Sequence, residues 1–577
     1  MTSIEHVEYP TEQALWFGPA ERPLVGWLTT PPGELTRGGV ILAPPIGQEA
    51  FSARRALRQL AASLAARGFV ALRFDYEGTG DSSGDFDESD RDRAWVNSIE
   101  EATNFLRLLG LVSISAIGMR LGATLTGVAA IERDLHFKSI VFWDPCESGR
   151  SYLRELSALE ALRREDFQID QDGAVESSEF FFTKQAASDL RKLNLANAGS
   201  GSFAERVLVV ARQDRVIPEK LRARLNEENV DWRETTQQEA LLDVESYFAM
   251  MPTETIDTIS AWLIAPSTSC TTFLAPEVAT SAVVAHEPGK LSVQEHFVRL
   301  GPRQLFAVVS EPVGESRGPL IVFMNSVMED HTGRARLWVE LPRRWAAQGL
   351  RCVRLDLSGF AGSSWPLNEP DRPMFDRDWL DDVPTVVQNL NPQDPSNAVL
   401  IGLCSGAYVA VESAFSLGAR GACVINPPVA IDFLHGADHL ASSRRALFRA
   451  MAVRLKRLAV NHQWVAATLA HASLAILPSS RFADALSKLS NKGTDLLVFA
   501  SADDFSPRPR TPFFRSIDIR RLGKSKNYHL EIVPGLDHGM HNAASRAQTV
   551  SILERHVLEH FAGDSPLTGL RTPSTND

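Results

Sequence analysis

Cysteine is scarce: Cys146, Cys270, Cys352, Cys404 and Cys423 are the only five in 577 residues. They are too few and too scattered for a disulfide framework or a zinc site of C-x-x-C type, so the expectation is a reducing cytoplasm, with no metal and no cofactor. Long apolar runs are missing too. No uninterrupted apolar segment is long enough to span a bilayer. Residues Met1 to Pro10 carry Glu5 and Glu8 where a secretory signal has a basic stretch and an apolar run, so no such signal is expected. Positive charge is in deficit, with 59 Lys and Arg against 71 Asp and Glu, and a net charge of −12 argues against a nucleic-acid partner. What is present is ordinary: 44% hydrophobic and 23% charged residues lie in the folded globular range. The length exceeds what one core supports, so at least two domains are expected.

An internal repeat sets the organisation. In the first half the apolar run Val40-Ile41-Leu42-Ala43 opens into Pro44-Pro45-Ile46-Gly47; in the second, Leu320-Ile321-Val322-Phe323-Met324 opens into Asn325-Ser326-Val327. Further on, Phe69 to Asp75 matches Leu350 to Asp356, and the turn-prone loop Gly78 to Ser83 matches Gly359 to Ser364. A third apolar run then meets a tight turn at Gly118-Met119-Arg120-Leu121-Gly122 and at Gly402-Leu403-Cys404-Ser405-Gly406. The separation between partners is nearly constant, which points to a duplicated unit. Short apolar strands alternating with helical patterns predict βαβ units and a mostly parallel sheet in each copy.

The order of these motifs resembles the α/β-hydrolase fold over nearly the whole chain. Arg73-Phe74-Asp75-Tyr76-Glu77-Gly78-Thr79-Gly80-Asp81-Ser82-Ser83-Gly84, the Arg120 turn and Trp143-Asp144-Pro145 look like the exosortase-A-associated hydrolase and serine aminopeptidase-like branch. The second half resembles that branch more loosely, and its G-x-C-x-G turn is similar to that of dienelactone hydrolases, which place Cys where most relatives have Ser. The expected architecture is therefore two tandem α/β-hydrolase folds, at 1–265 and 286–562, each with a helical cap insertion. The Ser-, Thr- and Pro-rich stretch 266–285 reads as a linker, and 563–577 as a disordered tail.

On this fold the nucleophile sits on a sharp strand-to-helix turn between glycines, and Cys404 occupies that place. A thiol at a helix N-terminus gains from the dipole, which favours the thiolate. Cys352 and Cys423, inside apolar strand-like runs, read as core. The expected triad order is nucleophile, acid, histidine. After the apolar run Leu496 to Ala500, Asp503 stands four residues before Pro507, as Asp214 stands four before Pro218; Asp503 is the expected acid, with Asp504 in reserve. His538, in the loop after Tyr528 to Val533, is the expected base, with His541 as its competitor. His538 would take the thiol proton and Asp503 would hold its tautomer. Oxyanion donors are expected from Ser405, after the nucleophile, and from Ser326 or Val327, after the early strand, where the usual His-Gly signature is replaced.

The first half has Arg120 at the nucleophile position and no histidine between His136 and His286, so it is expected to be catalytically inactive. The branch it resembles also carries Arg there. Arg120 reads either as an anchor for an anionic ligand or as an arginine salt-bridged to Asp214 or Asp75. In the second half an excursion from Pro428 to the acid strand reads as a helical cap, with Leu447, Met451, Leu455 and Leu458 at helical spacing beside Arg445, Arg449, Lys456 and Arg457. Its apolar stripe would suit an acyl chain, its basic face a pantetheine phosphate or an acyl carrier protein. The function expected is acyl transfer of thioesterase or acyltransferase type, on a small-molecule or carrier-bound thioester or ester. The alternatives are a dienelactone-type lactone or carboxylic-ester hydrolase using the same residues, and a non-catalytic binding scaffold.

Overall fold

The apolar runs of the sequence become strands, and the repeat becomes two sheets of matching order. In the computed structural model, the described residues are 10–163, 173–177, 180–227, 229–244, 249–264, 270–273, 276–285, 290–326, 329–363, 378–427, 480–501, 527–540 and 542–562. Packing divides the chain into two compact units, one of Met1–Phe297, Val308–Gly314 and Arg334–Ala347, the other of Val298–Ala307, Glu315–Gly333 and Gln348–Asp577.

The first sheet contains β1 (Thr11–Phe17), β2 (Leu24–Thr30), β3 (Gly38–Ala43), β4 (Phe69–Phe74), β5 (Ile114–Met119), β6 (Phe137–Trp143), β7 (Ala204–Arg212) and β8 (Val230–Thr235). Their spatial order is β1-β2-β4-β3-β5-β6-β7-β8. The β1/β2 and β2/β4 pairs are antiparallel and the others parallel. β3 and β5 are buried along their whole length, as expected when helices cover both faces of a parallel sheet. The helices include α1 (Gln48–Ala66), α2 (Arg91–Leu108) and α3 (Leu121–Glu132). Between β6 and β7 lie α4 (Gly149–Arg163), a short hairpin and α5 (Lys184–Leu190), where a cap insertion is expected.

The second sheet contains β9 (Ser281–Ala285), β10 (Val293–Leu300), β11 (Leu305–Pro312), β12 (Leu320–Met324), β13 (Arg351–Leu355), β14 (Ala398–Leu403), β15 (Gly421–Ile425), β16 (Asp495–Ser501) and β17 (Tyr528–Val533). Its order, β9-β10-β11-β13-β12-β14-β15-β16-β17, repeats that of the first sheet with β9 added at one edge. Ser281–Ala285 thus leave the expected linker and pair antiparallel with β10, because an alternating Val-containing run can fill a sheet edge. Helices α6 (Trp379–Leu390), α7 (Ser405–Leu417), α8 (Ser480–Asn491) and α9 (Ala543–Phe561) complete the part that positions the site. The cap residues expected in the second half, Leu447 to Leu458 among them, and the tail 563–577 lie outside the described residues.

The repeat extends to single hydrogen bonds. Asp75 N–H donates to Val25 O at 3.0 Å and Asp356 N–H to Phe306 O at 3.0 Å. Ser82 Oγ donates to Asp75 O and accepts from Val25 N, and Ser363 Oγ does the same with Asp356 O and Phe306 N. Each Asp carboxylate also accepts an N–H from its own glycine-rich loop, Asp81 in one case and Gly362 in the other. A buried serine in each half therefore ties the loop to the strand beside it, closing polar groups that burial would otherwise leave costly. This is the α/β-hydrolase fold.

Candidate active site

Cys404 lies between β14 and α7 with φ 53° and ψ −116°, a conformation that L-residues rarely adopt. Such strain persists only where the surroundings enforce it. The enforcement is visible on both sides. A Cβ added to Gly402 would come within 2.1 Å of Gly406 O, and one added to Gly406 would meet Asn325 O at 2.9 Å, so both glycines allow contacts that no side chain permits. Cys404 N–H donates to Ile425 O at 2.9 Å, locking the turn to the end of β15. The thiol is half-buried, whereas Cys352 and Cys423 are fully buried and Cys270 is exposed. Burial pushes the Cys423 thiol far above its usual range, with the nearby Asp495 carboxylate adding to the rise, so it is a poor competitor for electrophiles.

Ser405 opens α7 and is buried, so its N–H belongs to the first turn, where donors point outward from the helix. The close approach of Gly406 to Asn325 O brings the start of α7 against the loop that carries Ser326. Ser326 is buried and its hydroxyl donates to Glu329 Oε2 at 2.6 Å. Asn325 holds the same loop by donating to Glu329 O and accepting from Leu357 N. Val327 lies outside the described residues.

His538 is exposed in the loop after β17, and that loop is held by a residue that the sequence reading passes over. Asn426, directly after β15, donates from Nδ2 to His538 O at 2.9 Å and to Asp537 O at 3.3 Å. Its Oδ1 accepts Ser501 N–H at 2.9 Å, at the end of the strand that leads to Asp503. One buried amide therefore ties together the chain before the expected acid and the loop of the expected base, one residue from the carbonyl that holds Cys404. Asp503, Asp504 and His541 lie outside the described residues. A usable signal for Asn426 exists in the sequence: Asn426-Pro427 stands where the first half has Asp144-Pro145.

The corresponding turn of the first half has the same backbone and different contents. Arg120 has φ 55° and ψ −120°, and its N–H donates to Trp143 O at 2.9 Å. Its guanidinium meets three carboxylates: Glu49 Oε1 at 2.9 Å, Asp144 Oδ2 at 3.2 Å and Glu155 Oε2 at 2.8 Å. The expected partners are therefore corrected. Asp214 is half-exposed and bound to Arg212, and Asp75 accepts from its own loop. The guanidinium is thus already engaged by three carboxylates, two of which, Asp144 and Glu155, also meet Arg215. Burial raises the Glu49 carboxyl to about 7 in spite of Arg120, and burial likewise pushes up Asp144 and the Cys146 thiol.

Residues 328–551, which include Cys404, Asp503 and His538, match the model of the alpha/beta hydrolase family. That match spans 224 of the 577 residues, all of them in the second half. Solved structures of similar fold include Est1E from Butyrivibrio proteoclasticus, at 14% identity and a TM-score of 0.32, covering 44% of this chain and 98% of that one. Another is XC6422 from Xanthomonas campestris, described as an a/b serine hydrolase without lid, at 14% identity and a TM-score of 0.30, covering 45% of this chain and 96% of that one. A third is carboxyl esterase 2 from Tuber melanosporum, at 15% identity and a TM-score of 0.32, covering 46% of this chain and 89% of that one. No curated protein sequence matches the chain. Among the described residues, no helix is long and apolar enough to cross a membrane.

Proposed function

We propose that the second hydrolase domain, within 286–562, is an acyl-transfer enzyme with Cys404 as nucleophile, His538 as base and Asp503 as the acid that orients it, and that the first, within 1–265, is a non-catalytic partner. The observation that carries this reading is the half-buried Cys404 thiol on the turn at the head of α7, where the first half places the buried guanidinium of Arg120. His538 takes the thiol proton and Sγ attacks the acyl carbonyl carbon. The tetrahedral oxyanion is met by the N–H groups of Ser405 and of Val327 or Ser326. The bond to the leaving group breaks, the leaving group receives the proton from His538, and a thioester remains on Cys404. Water or a second nucleophile, deprotonated by His538, then displaces the thiolate. A thioester intermediate is itself a good acyl donor, which favours a small-molecule or carrier-bound thioester or ester as substrate and fits transfer as well as hydrolysis.

The test is intact-mass analysis after mixing with a p-nitrophenyl acyl ester series. The expected result is a single acyl adduct that maps to Cys404 and is absent in Cys404→Ala. An adduct of equal yield in Cys404→Ala would sink the assignment.

A further inference from the structure

At the opposite end of the second sheet, four side chains with metal-ligating atoms converge. Asp495 is the first residue of β16, His529 lies on the neighbouring β17, and His556 and His560 stand at i and i+4 on α9, hence on one face of that helix. His529 pairs in register with Leu497, two residues beyond Asp495, so both side chains emerge on the same face of the sheet. One ligand atom from each of the four lies within 4.8 Å of every other.

We propose that Asp495, His529, His556 and His560 form a site for one divalent transition-metal ion of the zinc class. The distances fit such an ion. His560 Nδ1 lies 2.9 Å from Asp495 Oδ2, His556 Nε2 3.1 Å from Asp495 Oδ1 and His529 Nε2 3.7 Å from Asp495 Oδ1. Ligands at the usual zinc bond length in a tetrahedron stand ~3.3 Å apart, between these values. The chemistry fits as well: three imidazole nitrogens and one carboxylate oxygen suit zinc and its neighbours, whereas magnesium and calcium take oxygen-rich sets.

Protein contacts satisfy part of the cluster, since His560 Nδ1 and Asp495 Oδ2 share a hydrogen bond at 2.9 Å. His556 is 6% exposed, and its Nε2 and Asp495 Oδ1 are both buried without hydrogen-bond geometry between them in spite of their separation of 3.1 Å. The imidazole centroids of His556 and His560 are 4.3 Å apart, and His529 is 5.0 and 4.9 Å from them.

Four protein ligands close a tetrahedral shell, which marks the site as structural. It also lies at the start of β16, whereas Ser501, held by Asn426, ends that strand about 20 Å away on the side of Cys404. The ion would staple α9 to the last two strands. Since Asn542, the residue that caps α9, follows the loop of His538, the staple would steady the base loop from behind.

The test uses untagged full-length protein, stripped with chelator and dialysed. Titration with zinc chloride against a chromophoric chelator is expected to give one ion per chain, with a rise in melting temperature. The variants His529→Gln and His560→Gln, at half-buried positions, should fold without metal, bind zinc roughly tenfold or more weakly, and lose that rise. Cobalt(II) should give the absorption of a tetrahedral N/O site in the wild type and lose it in both variants. Absence of tight zinc binding by wild type overturns the proposal, as does stoichiometric binding that both variants retain. Acyl-probe labelling of Cys404 is a separate readout, so failure here and failure of the proposed nucleophile are told apart.

Discussion

The two elbows of this chain have nearly the same backbone and opposite chemistry. Arg120 and Cys404 share a left-handed φ near the start of a helix, and each donates its N–H to the last carbonyl of the next strand. After that strand come Asp144 and Asn426, both again at positive φ, and each donates its N–H to the following strand, at Val210 O and Phe499 O. The strained turn is thus a property of the fold, set by glycine packing and strand order, and it does not by itself signal a nucleophile. What differs is the filling. The first half spends the position on a buried ion cluster; the second leaves a half-buried thiol with an amide, Asn426, that links the loops around it.

The sharpest break in the comparison is expected from Cys404→Ala, which should abolish acyl-probe labelling and leave the far-UV circular dichroism unchanged. Cys404→Ser should keep the fold and lose most of the activity, because a hydroxyl is a far weaker acid than a thiol with a usual pKa near ~8.5. Equal rates for Ser and Cys would show that sulfur is incidental.

Arg120→Ala should act on stability where Cys404→Ala acts on chemistry. Removing the cation leaves Glu49 and Asp144 buried without their main partner, a loss that typically costs about 3–5 kcal/mol. The check is a urea unfolding curve beside single-turnover acylation. The saturating rate at Cys404 should stay near wild type; its collapse in still-folded protein would mean that Arg120 takes part in the reaction.

A smaller effect is expected from Asn426→Ala, since it deprives Ser501 N–H and the His538 and Asp537 carbonyls of a shared partner, at roughly 1–3 kcal/mol. If Asn426 positions the base loop, the pH profile of acylation should shift together with the rate. A loss of stability with an unchanged pH profile would leave it a purely structural clamp.

Much of this was legible in the sequence. Buried parallel strands are short apolar runs, and the run Leu320 to Met324 and the run Tyr528 to Val533 coincide with β12 and β17. The turns were legible because glycines must flank a strained residue. The partners of Arg120 were not, since Glu49, Asp144 and Glu155 come from three separate elements and only tertiary packing brings them to one guanidinium. The histidine cluster was hidden for the same reason: only His556 and His560 show a spacing that one helix face can use, and Asp495 and His529 reach them through strand pairing. Asn426 was within reach through its alignment with Asp144, but an amide before proline ordinarily reads as a turn.

The finest contrast between the halves is in protonation, and Glu49→Gln should expose it. In the folded protein Glu49 holds its proton up to about 7, against an ordinary value of 4.5, because burial outweighs the attraction of Arg120. Between those two values the folded state binds a proton that the unfolded chain has released, so the contribution to stability is full below 4.5 and is lost as pH rises through 7. Gln is neutral throughout and its carbonyl can still accept from Arg120 Nε. Urea midpoints measured from pH 5 to pH 8 should therefore fall less steeply in Glu49→Gln than in wild type, the difference being at most about 1.4 kcal/mol per pH unit. A wild-type slope in the variant would place the proton on another carboxylate of the cluster, with Asp144, also raised by burial, the next to replace.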